Sequence, residues 1–256
     1  MRGMQALILA GGWATRLKDV AQGTPKHLLP IGDRSSLDFL VEHLNRIPFL
    51  SAIHIVTHDV YFPQFVDWVA ANPSRTPIKV LSDGTASVDE RLGSLGDIAF
   101  FLHETGPNDD VLVIAGDNVF DFDLKPFAER ARAEPVVGIY DVGRLDLATR
   151  YGVVVLDDGG YITSFVEKPA NPMSTLAAIA IYGLPRQYLG DVDRYLAEGN
   201  DPDKLGSLME WMHTRRRVAG HVFQGRWIDV GSPDEYERVN ALFGGEARHE
   251  RTPPRP

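Results

Sequence analysis

Cysteine is absent from the 256 residues, which excludes disulfides, zinc–thiolate sites and thiol catalysis. Net positive charge is absent too. Thirty-five acidic against 26 basic residues leave −9 at pH 7, with no basic face of the kind nucleic acid or an anionic membrane would need. No apolar run approaches the ~20 residues of a membrane helix. The first apolar stretch is too short for a signal-peptide core and has no cleavage site behind it, so a cytoplasmic location is expected. Two phosphate fingerprints are missing as well. There is no GxxxxGK[ST], and after Gly11-Gly12 the next glycine is Gly23, so GxGxxG fails and with it a nicotinamide dehydrogenase. No Ser-His-Asp or Cys-His set stands out. What remains, 44% hydrophobic and 24% charged, is ordinary for a globular chain of one large α/β domain or two small ones.

Residues 6–30, ALILAGGWATRLKDVAQGTPKHLLP, stand out. Ala6 to Ala10 is an apolar run that reads as a buried strand. It stops at Gly11-Gly12, a pair that permits a tight turn. Arg16, Lys18 and Lys26 follow. A strand running into a glycine turn and then fixed cations suits a polyphosphate. Backbone N–H groups can approach the anion, and the cations neutralise it. A Gly-Gly pair alone would be a plain turn.

Met1 to Gly3 read as a lead, with Met4 an alternative start. Further on, strands and helices alternate. Ser35-Ser36 caps a helix to about Arg46 with Leu37, Leu40, Val41 and Leu44 on one face. Ala52–Thr57 is a strand. Tyr61–Ala71 is a helix with Phe62, Phe65, Val66 and Val69 inward, and Ile78–Leu81 a third strand. This order predicts a parallel sheet with right-handed crossovers. Residues 82–94 form a polar loop off a strand end, where open α/β sheets bind ligands. Its bland reading is a surface connection. A helix then runs to about Glu104.

Val111–Ala115 is a continuous apolar run, hence a central strand. It ends at Gly116-Asp117-Asn118, which aims a carboxylate at the ligand crevice, although a lone Asp there could equally cap a turn. Asp121 reads as solvated and Asp123 as the cap of a helix through Ala133. Val136–Asp141 is a strand. Tyr151–Leu156 and Tyr161–Val166 form a hairpin around 157–160. It runs into Glu167-Lys168-Pro169, where the bland reading is an exposed ion pair. Leu176–Tyr182 is a strand, Val192–Glu198 and Leu205–His213 are helices, and Arg215–Arg217 is a solvated turn. Val218–Phe223 and Arg226–Asp229 are strands. Ser232 caps a helix from Pro233 to about Phe243. Residues 244–256 read as a frayed tail.

Four separated segments, in order, resemble the sugar-phosphate nucleotidyltransferases (NDP-sugar pyrophosphorylases), glucose-1-phosphate thymidylyltransferase-like. They are GG-x-A-T-R-L with PK-x-LLP, G-D-N at Gly116, YGV…EKP, and W-x-DVG-S-P at Trp227. The similarity spans Met4 to about Leu242. RLGSLGDI at 91–98 looks like the family's base-facing loop, with Ser94 for threonine. In this sequence Ala14 replaces a glycine, His27 a proline and Ala180 a frequent glycine. No clear counterpart exists for the glutamine that reads uracil or thymine.

The resemblance implies an α/β fold: one Rossmann-like, mixed and mostly parallel sheet flanked by helices, with a small β-rich sugar-binding subdomain. Residues 1–243 would be one domain, with 4–140 its nucleotide-binding half, 141–243 its sugar-phosphate-binding half, and 244–256 a flexible tail. It implies a nucleotide site of Leu9, Ala10, Gly11, Gly12, Ala14, Thr15, Arg16, Lys26, Asp83, Gly93 and Asp117. It implies a sugar-phosphate site of Asn118, Gly152, Glu167, Lys168 and Ala180. Asp117 and Asp229 would hold Mg²⁺, and Arg16, Lys26 and Lys168 would be the catalytic cations. The partners would be a nucleoside triphosphate, with dTTP favoured, and a sugar phosphate. Neither nucleic acid nor membrane is expected, and a homo-oligomer is left open.

The implied reaction joins a sugar 1-phosphate to the nucleotide and releases pyrophosphate. Its nucleophile is a phosphate oxygen whose second pKa is about 6, so no strong base is required. The work left to the protein is charge neutralisation and alignment. Two rival readings stand beside this one. The first keeps the chemistry but uses CTP, GTP or another nucleotide on a cyclitol phosphate, phosphocholine or similar phosphate. The second is a catalytically silent nucleotide-sugar sensor.

Overall fold

The computed structural model describes residues 3–13 and 15–245. Met1, Arg2, Ala14 and the expected tail beyond Gly245 lie outside the described residues.

The chain opens with β1 (Met4–Leu9), a single turn α1 (Lys18–Ala21), α2 (Ser36–Asn45), β2 (Leu50–Thr57), α3 (Phe62–Ala71) and β3 (Ile78–Ser82). These strands are parallel, in the order β1-β2-β3. Ser35 starts α2 with a capping box: its hydroxyl accepts from the Asp38 backbone and its own N–H donates to the Asp38 carboxylate. The expected apolar face of α2 is fully realised, with Leu37, Leu40 and Leu44 at 0% exposure. The α3 face differs from expectation. Phe65 alone is buried, Val66 is 42% exposed, and Trp68 and Val69 pack partly against the core. Pro63 stands in the first turn of the helix, where its missing N–H costs nothing.

The second set is α4 (Ser94–Thr105), β4 (Asp110–Ala115), β5 (Asn118–Phe120), α5 (Lys125–Arg130) and β6 (Val136–Asp141). Strand β4 pairs parallel with β1 and sits mid-sheet, buried as its continuous apolar run predicts. The helix expected to run to Ala133 ends at Arg130, and Asp123 accepts from Lys125 N at 2.9 Å. Asp121 is not merely solvated: it takes the Arg226 backbone N–H and Nε, each at 2.7 Å.

Then come α6 (Leu145–Ala148), the hairpin β7 (Gly152–Leu156) and β8 (Ile162–Glu167), β9 (Leu176–Leu184), α7 (Gly190–Ala197), α8 (Leu205–His213), β10 (Ala219–Val222), β11 (Trp227–Asp229) and α9 (Pro233–Phe243). The main sheet runs β10-β6-β9-β4-β1-β2-β3, with the hairpin attached through β7 to β9. Strand β9 is antiparallel to both β4 and β6, which makes the sheet mixed. The β6–β9 register slips between Val137 and Ile139, and opposite that slip Ala180 takes φ +55°. An irregularity of this kind bends a strand and re-aims its side chains.

Two apolar layers cover the sheet. One is built on α2, α3 and α5 around Leu40, Phe65 and Phe127. The other is built on α4, α7 and α8 around Phe101, Val192 and Met212. A third, smaller core joins Leu17, Ile31 and Phe39 to Ile228 and Phe243 of the closing segment. The Arg215–Arg217 run is anchored and is no solvated turn. Arg216 pairs with Asp191 at 2.8 Å, Arg215 with Glu198 at 3.3 Å, and Arg217 lies 3.5 Å over the Tyr161 ring.

Candidate active site

The carboxyl ends of β1, β3 and β4 open onto one cleft of about 610 Å³. Two local features build its centre. Gly11-Gly12 ends β1, and Lys26 lies against Gly12, its Cε 3.4 Å from where a Cβ would stand. Asp117 leaves β4 and accepts a hydrogen bond from Lys26 Nζ on Oδ2. Both side chains are mostly buried, 17% and 18% exposed.

A strand pair that the sequence did not reveal brings in the second carboxylate. Strands β5 and β11 run antiparallel with Asp229 opposite Asn118, and Val230 N donates to Asp117 O at 2.9 Å. Trp227 Nε1 donates to Asn118 Oδ1 at 2.5 Å, and Asn118 Nδ2 donates to Ala115 O at 3.1 Å. The Asn118 amide is therefore committed to holding this pair together, although the residue lines the cleft. Strand β11 falls within the expected Arg226–Asp229 strand, whereas β5, three residues long, has too little periodicity to be read. The signal available was the pairing of GDN with WID.

Electrostatics mark this centre. Burial works against every charge here. It raises Asp229, and the Asp117 charge raises it further. On Asp117 the opposing effect of Lys26 wins, and the carboxyl is held below its ordinary range. Lys26 is held above its ordinary value by Asp117 and Asp229 despite its own burial. His27, wholly buried beneath the loop with its Cδ2 packed against Gly116, is driven down to about 3 by burial and by Lys26. It is a neutral packing residue.

Two neighbouring carboxylates with one shared ammonium leave a deficit of positive charge and offer only hard oxygen donors. Mg²⁺ takes one or two carboxylates and completes its shell with water and phosphate oxygens, so the residues present fit such an ion. Among the described residues no cluster of three or more metal-ligating side chains forms.

The cleft wall includes Gly152, Glu167, Lys168 and Ala180. Gly152 and Gly206 flank the Glu167 carboxylate. A Cβ on Gly152 would stand 3.0 Å from Oε2, and one on Gly206 would overlap it. Two side-chain-free positions thus hold the carboxylate in place, and its burial pushes it above the ordinary range. The pair with Lys168 is loose, at 3.9 Å, with the lysine 58% exposed and the glutamate 12%. Lys168 has φ +48°. A non-glycine residue there costs about 1 kcal/mol or more. With Ala180 it is one of two such strained residues lining the cleft.

The wall also includes Asp83, Gly93 and Asp97. Gly93 precedes α4 with φ +78°, and a Cβ there would stand 2.6 Å from Pro202 O. Leu95 N donates to that same carbonyl at 2.9 Å, and Arg91 pairs with Asp203 at 2.6 Å. The 200–206 loop is thereby drawn to the cleft and adds Lys204 to its wall. Arg150 and Lys204 were not picked from sequence, while Arg91, Asp97 and Tyr151 lay inside the motifs RLGSLGDI and YGV without being named as site residues. Arg150 and Tyr151 adjoin Gly152, and that adjacency was the available signal.

Leu9, Gly11, Gly12, Thr15, Lys26, Asp83, Gly93 and Asp117 of the expected nucleotide site line the cleft. So do Asn118, Gly152, Glu167, Lys168, Ala180 and Asp229. Two expected residues do not. Ala10 is fully buried below the turn, where its N–H donates to Val56 O at 2.8 Å. Arg16 is exposed in a 3-10 turn and is absent from the cleft wall. Ala14 lies outside the described residues.

A sheet whose strand ends gather glycine, lysine and paired aspartates in one cleft has the groups to hold phosphates, and the comparisons give the chain a family. The nucleotidyl transferase model matches residues 5–244, and the chain belongs to that family. Relatives include the UTP–glucose-1-phosphate uridylyltransferase of Synechocystis, 27% identical over 98% of this chain and 66% of its own. The bifunctional protein GlmU of Methanocaldococcus jannaschii is 27% identical over 93% of this chain and 53% of its own. The chain thus spans between about half and two thirds of the length of these curated relatives. Two solved structures share the fold. A Bacillus anthracis chain crystallised with sucrose gives a TM-score of 0.78 at 24% identity, covering 97% of this chain and 98% of its own. UDP-glucose pyrophosphorylase complexed with UDP-glucose gives 0.78 at 20% identity, covering 94% and 98%. No helix among the described residues is long and apolar enough to cross a membrane.

Proposed function

We propose that this protein joins a sugar 1-phosphate to a nucleoside triphosphate, giving an NDP-sugar and pyrophosphate. The observation that carries the reading is the convergence of Lys26, Asp117 and Asp229 from three distant segments onto one cleft that Lys168 also faces. Family membership supports it.

In this reading a phosphate oxygen of the sugar 1-phosphate attacks the α-phosphorus as the bond to the β-phosphate oxygen breaks opposite it. Pyrophosphate leaves, and no proton need move, because the attacking phosphate is mostly ionised at neutral pH with a second pKa of about 6. The backbone at Gly11-Gly12 and Lys26 hold the triphosphate. Lys168 holds the sugar phosphate, and Glu167, seated between Gly152 and Gly206, accepts from sugar hydroxyls. Asp117 and Asp229 would hold Mg²⁺, which supplies charge neutralisation and a template for phosphate oxygens. Lys26 must then exchange its contact with Asp117 for the incoming phosphates. Arg16, outside the cleft wall, reaches the phosphates only if its turn closes on them.

Sequence alone favours dTTP, and relatives are named for uridylyl and adenylyl transfer. The test is pyrophosphate release with Mg²⁺ across five nucleotides and several sugar phosphates, with Asp117→Asn as the control. Turnover that needs both substrates and falls at least about 100-fold in the variant is expected. No turnover with any pair, alongside nucleotide binding, would favour the silent sensor.

A further inference from the structure

Trp13 follows the glycine turn directly and lies on the cleft wall, partly exposed. One face of its indole is taken. The His58 ring lies parallel to it, with 3.8 Å between centroids and 7° between planes. Tyr61 packs on His58 at 4.3 Å and stands 6.5 Å from Trp13, which puts it on the His58 side of the indole. Among the described residues no ring covers the opposite face. The edge that bears Nε1 is buried, which leaves the open face toward the cleft.

Stability does not account for this stack. His58 is 0% exposed, and neither of its ring nitrogens has a partner. Trp13 Nε1 is likewise buried and unmatched. A neutral imidazole still carries one N–H, so two donors are buried without acceptors, and each is costly. Burial holds the imidazole below its ordinary pKa against the pull of Asp83 and Asp59, so His58 offers a phosphate no charge at pH 7. Apolar side chains would fill the space without unmatched donors. A polar aromatic pair kept at a cleft wall marks a surface used for binding.

Position says what the open face receives. Gly12 lies against Lys26, and Lys26 bonds Asp117, so a triphosphate held there has Trp13 beside it. In the sheet, β1 separates β4, which leads to Asp117, from β2, which leads to His58. The hairpin that carries Glu167 and Lys168 is anchored on β9, beyond β4. On the reading given above, phosphates at the centre and a sugar phosphate against the hairpin leave the β2 side for the nucleoside. The turn after β3 braces the stack there, with Asp59 N donating to Thr85 O at 3.0 Å. An indole face suits a base and not a phosphate, because every base has a π-face and stacking requires no particular hydrogen-bond pattern.

We propose that Trp13, backed by His58, is the platform on which the nucleobase of the triphosphate stacks. This inference rests on the cleft being a nucleotide site. Trp13 then contributes affinity for any base and leaves the choice among bases to other groups. The test is titration of the purified protein, without sugar phosphate, with the Mg²⁺ complexes of ATP, GTP, CTP, UTP and dTTP, and of inorganic tripolyphosphate, which has no base. Binding is read by calorimetry and by indole fluorescence. Nucleotides that bind should quench the emission, and tripolyphosphate should not. Trp13→Phe keeps an aromatic face, so nucleotides should bind within about threefold of the parent while the quench disappears. That loss separates Trp13 from Trp227, which also lines the cleft. Trp13→Ala should weaken nucleotides at least about fivefold and leave tripolyphosphate within about twofold. If Trp13→Ala does not fold, Trp13→Leu, which fills the space without a π-face, replaces it. A merely structural Trp13 would weaken nucleotides and tripolyphosphate alike. That result, a quench that is absent from the parent or survives in Trp13→Phe, or unchanged nucleotide affinity in Trp13→Ala overturns the proposal and leaves the nucleotide site standing. Failure of every nucleotide to bind overturns both.

Discussion

Lys26 and Lys168 are both cations on one cleft, and the protein treats them in opposite ways. Lys26 is mostly buried, bonded to Asp117 and raised by two carboxylates. Lys168 is 58% exposed, 3.9 Å from its nearest carboxylate and carried on a strained residue. At the first position charge is part of the fold and must be re-partnered when substrate arrives. At the second it waits in solvent for an anion, and the fold neither needs it nor is stabilised by it.

Lys26→Ala should have the largest effect. Turnover should fall at least about 100-fold. Asp117 and Asp229 would then face each other without a cation, so stability should also fall, by about 2 kcal/mol or more, or at least about 4 °C in melting temperature. Sequence alone casts Lys26 as a cation whose loss should cost activity far more than stability, and the melting measurement decides between the two. Unchanged melting with lost turnover would show that the two carboxylates do not depend on Lys26.

Lys168→Ala should give a different profile. Melting should stay within about 1 °C, since an exposed loose pair contributes little. KM for the sugar phosphate should rise about tenfold, with that for the nucleotide unchanged. A fall in melting temperature like that of Lys26→Ala would erase the contrast.

The smallest effect is expected at Ala180. Its φ of +55° is left-handed, so Ala180→Gly removes strain of about 1 kcal/mol. Extra chain freedom when unfolded offsets about 0.4–1 kcal/mol of that gain. Melting should rise by no more than about 2 °C, while the sugar phosphates accepted should broaden. Calorimetry and a substrate panel on the one variant separate these effects. A clear fall in melting temperature would mean that the Ala180 methyl packs in a way the strain argument omits.

Much of this architecture was legible in the chain. The glycine turn after an apolar run, the carboxylate after Val111–Ala115, the hairpin into Glu167 and the capped final helix all fall where sequence placed them. Asp121 was read as solvated, and its partner Arg226 stands 105 residues away, beyond the reach of any local pattern. Asp97 was legible only as part of RLGSLGDI, the segment that resembles the family's base-facing loop, and its burial against Gly11 and Asp83 is a tertiary contact.

Sequence by itself determined the strands other than β5, where β1 and β4 stop, and which charged groups stand at those ends. Apolar runs and turn residues act over a few positions, so a linear reading reaches them. Tertiary structure alone decided that Asp229 meets Asp117, that Gly206 makes room for Glu167, and that Asp97 faces Asp83 without a cation. Those meetings depend on how strands and helices 14 to 112 residues apart are laid side by side. Packing and backbone pairing choose that arrangement, and no local pattern encodes it.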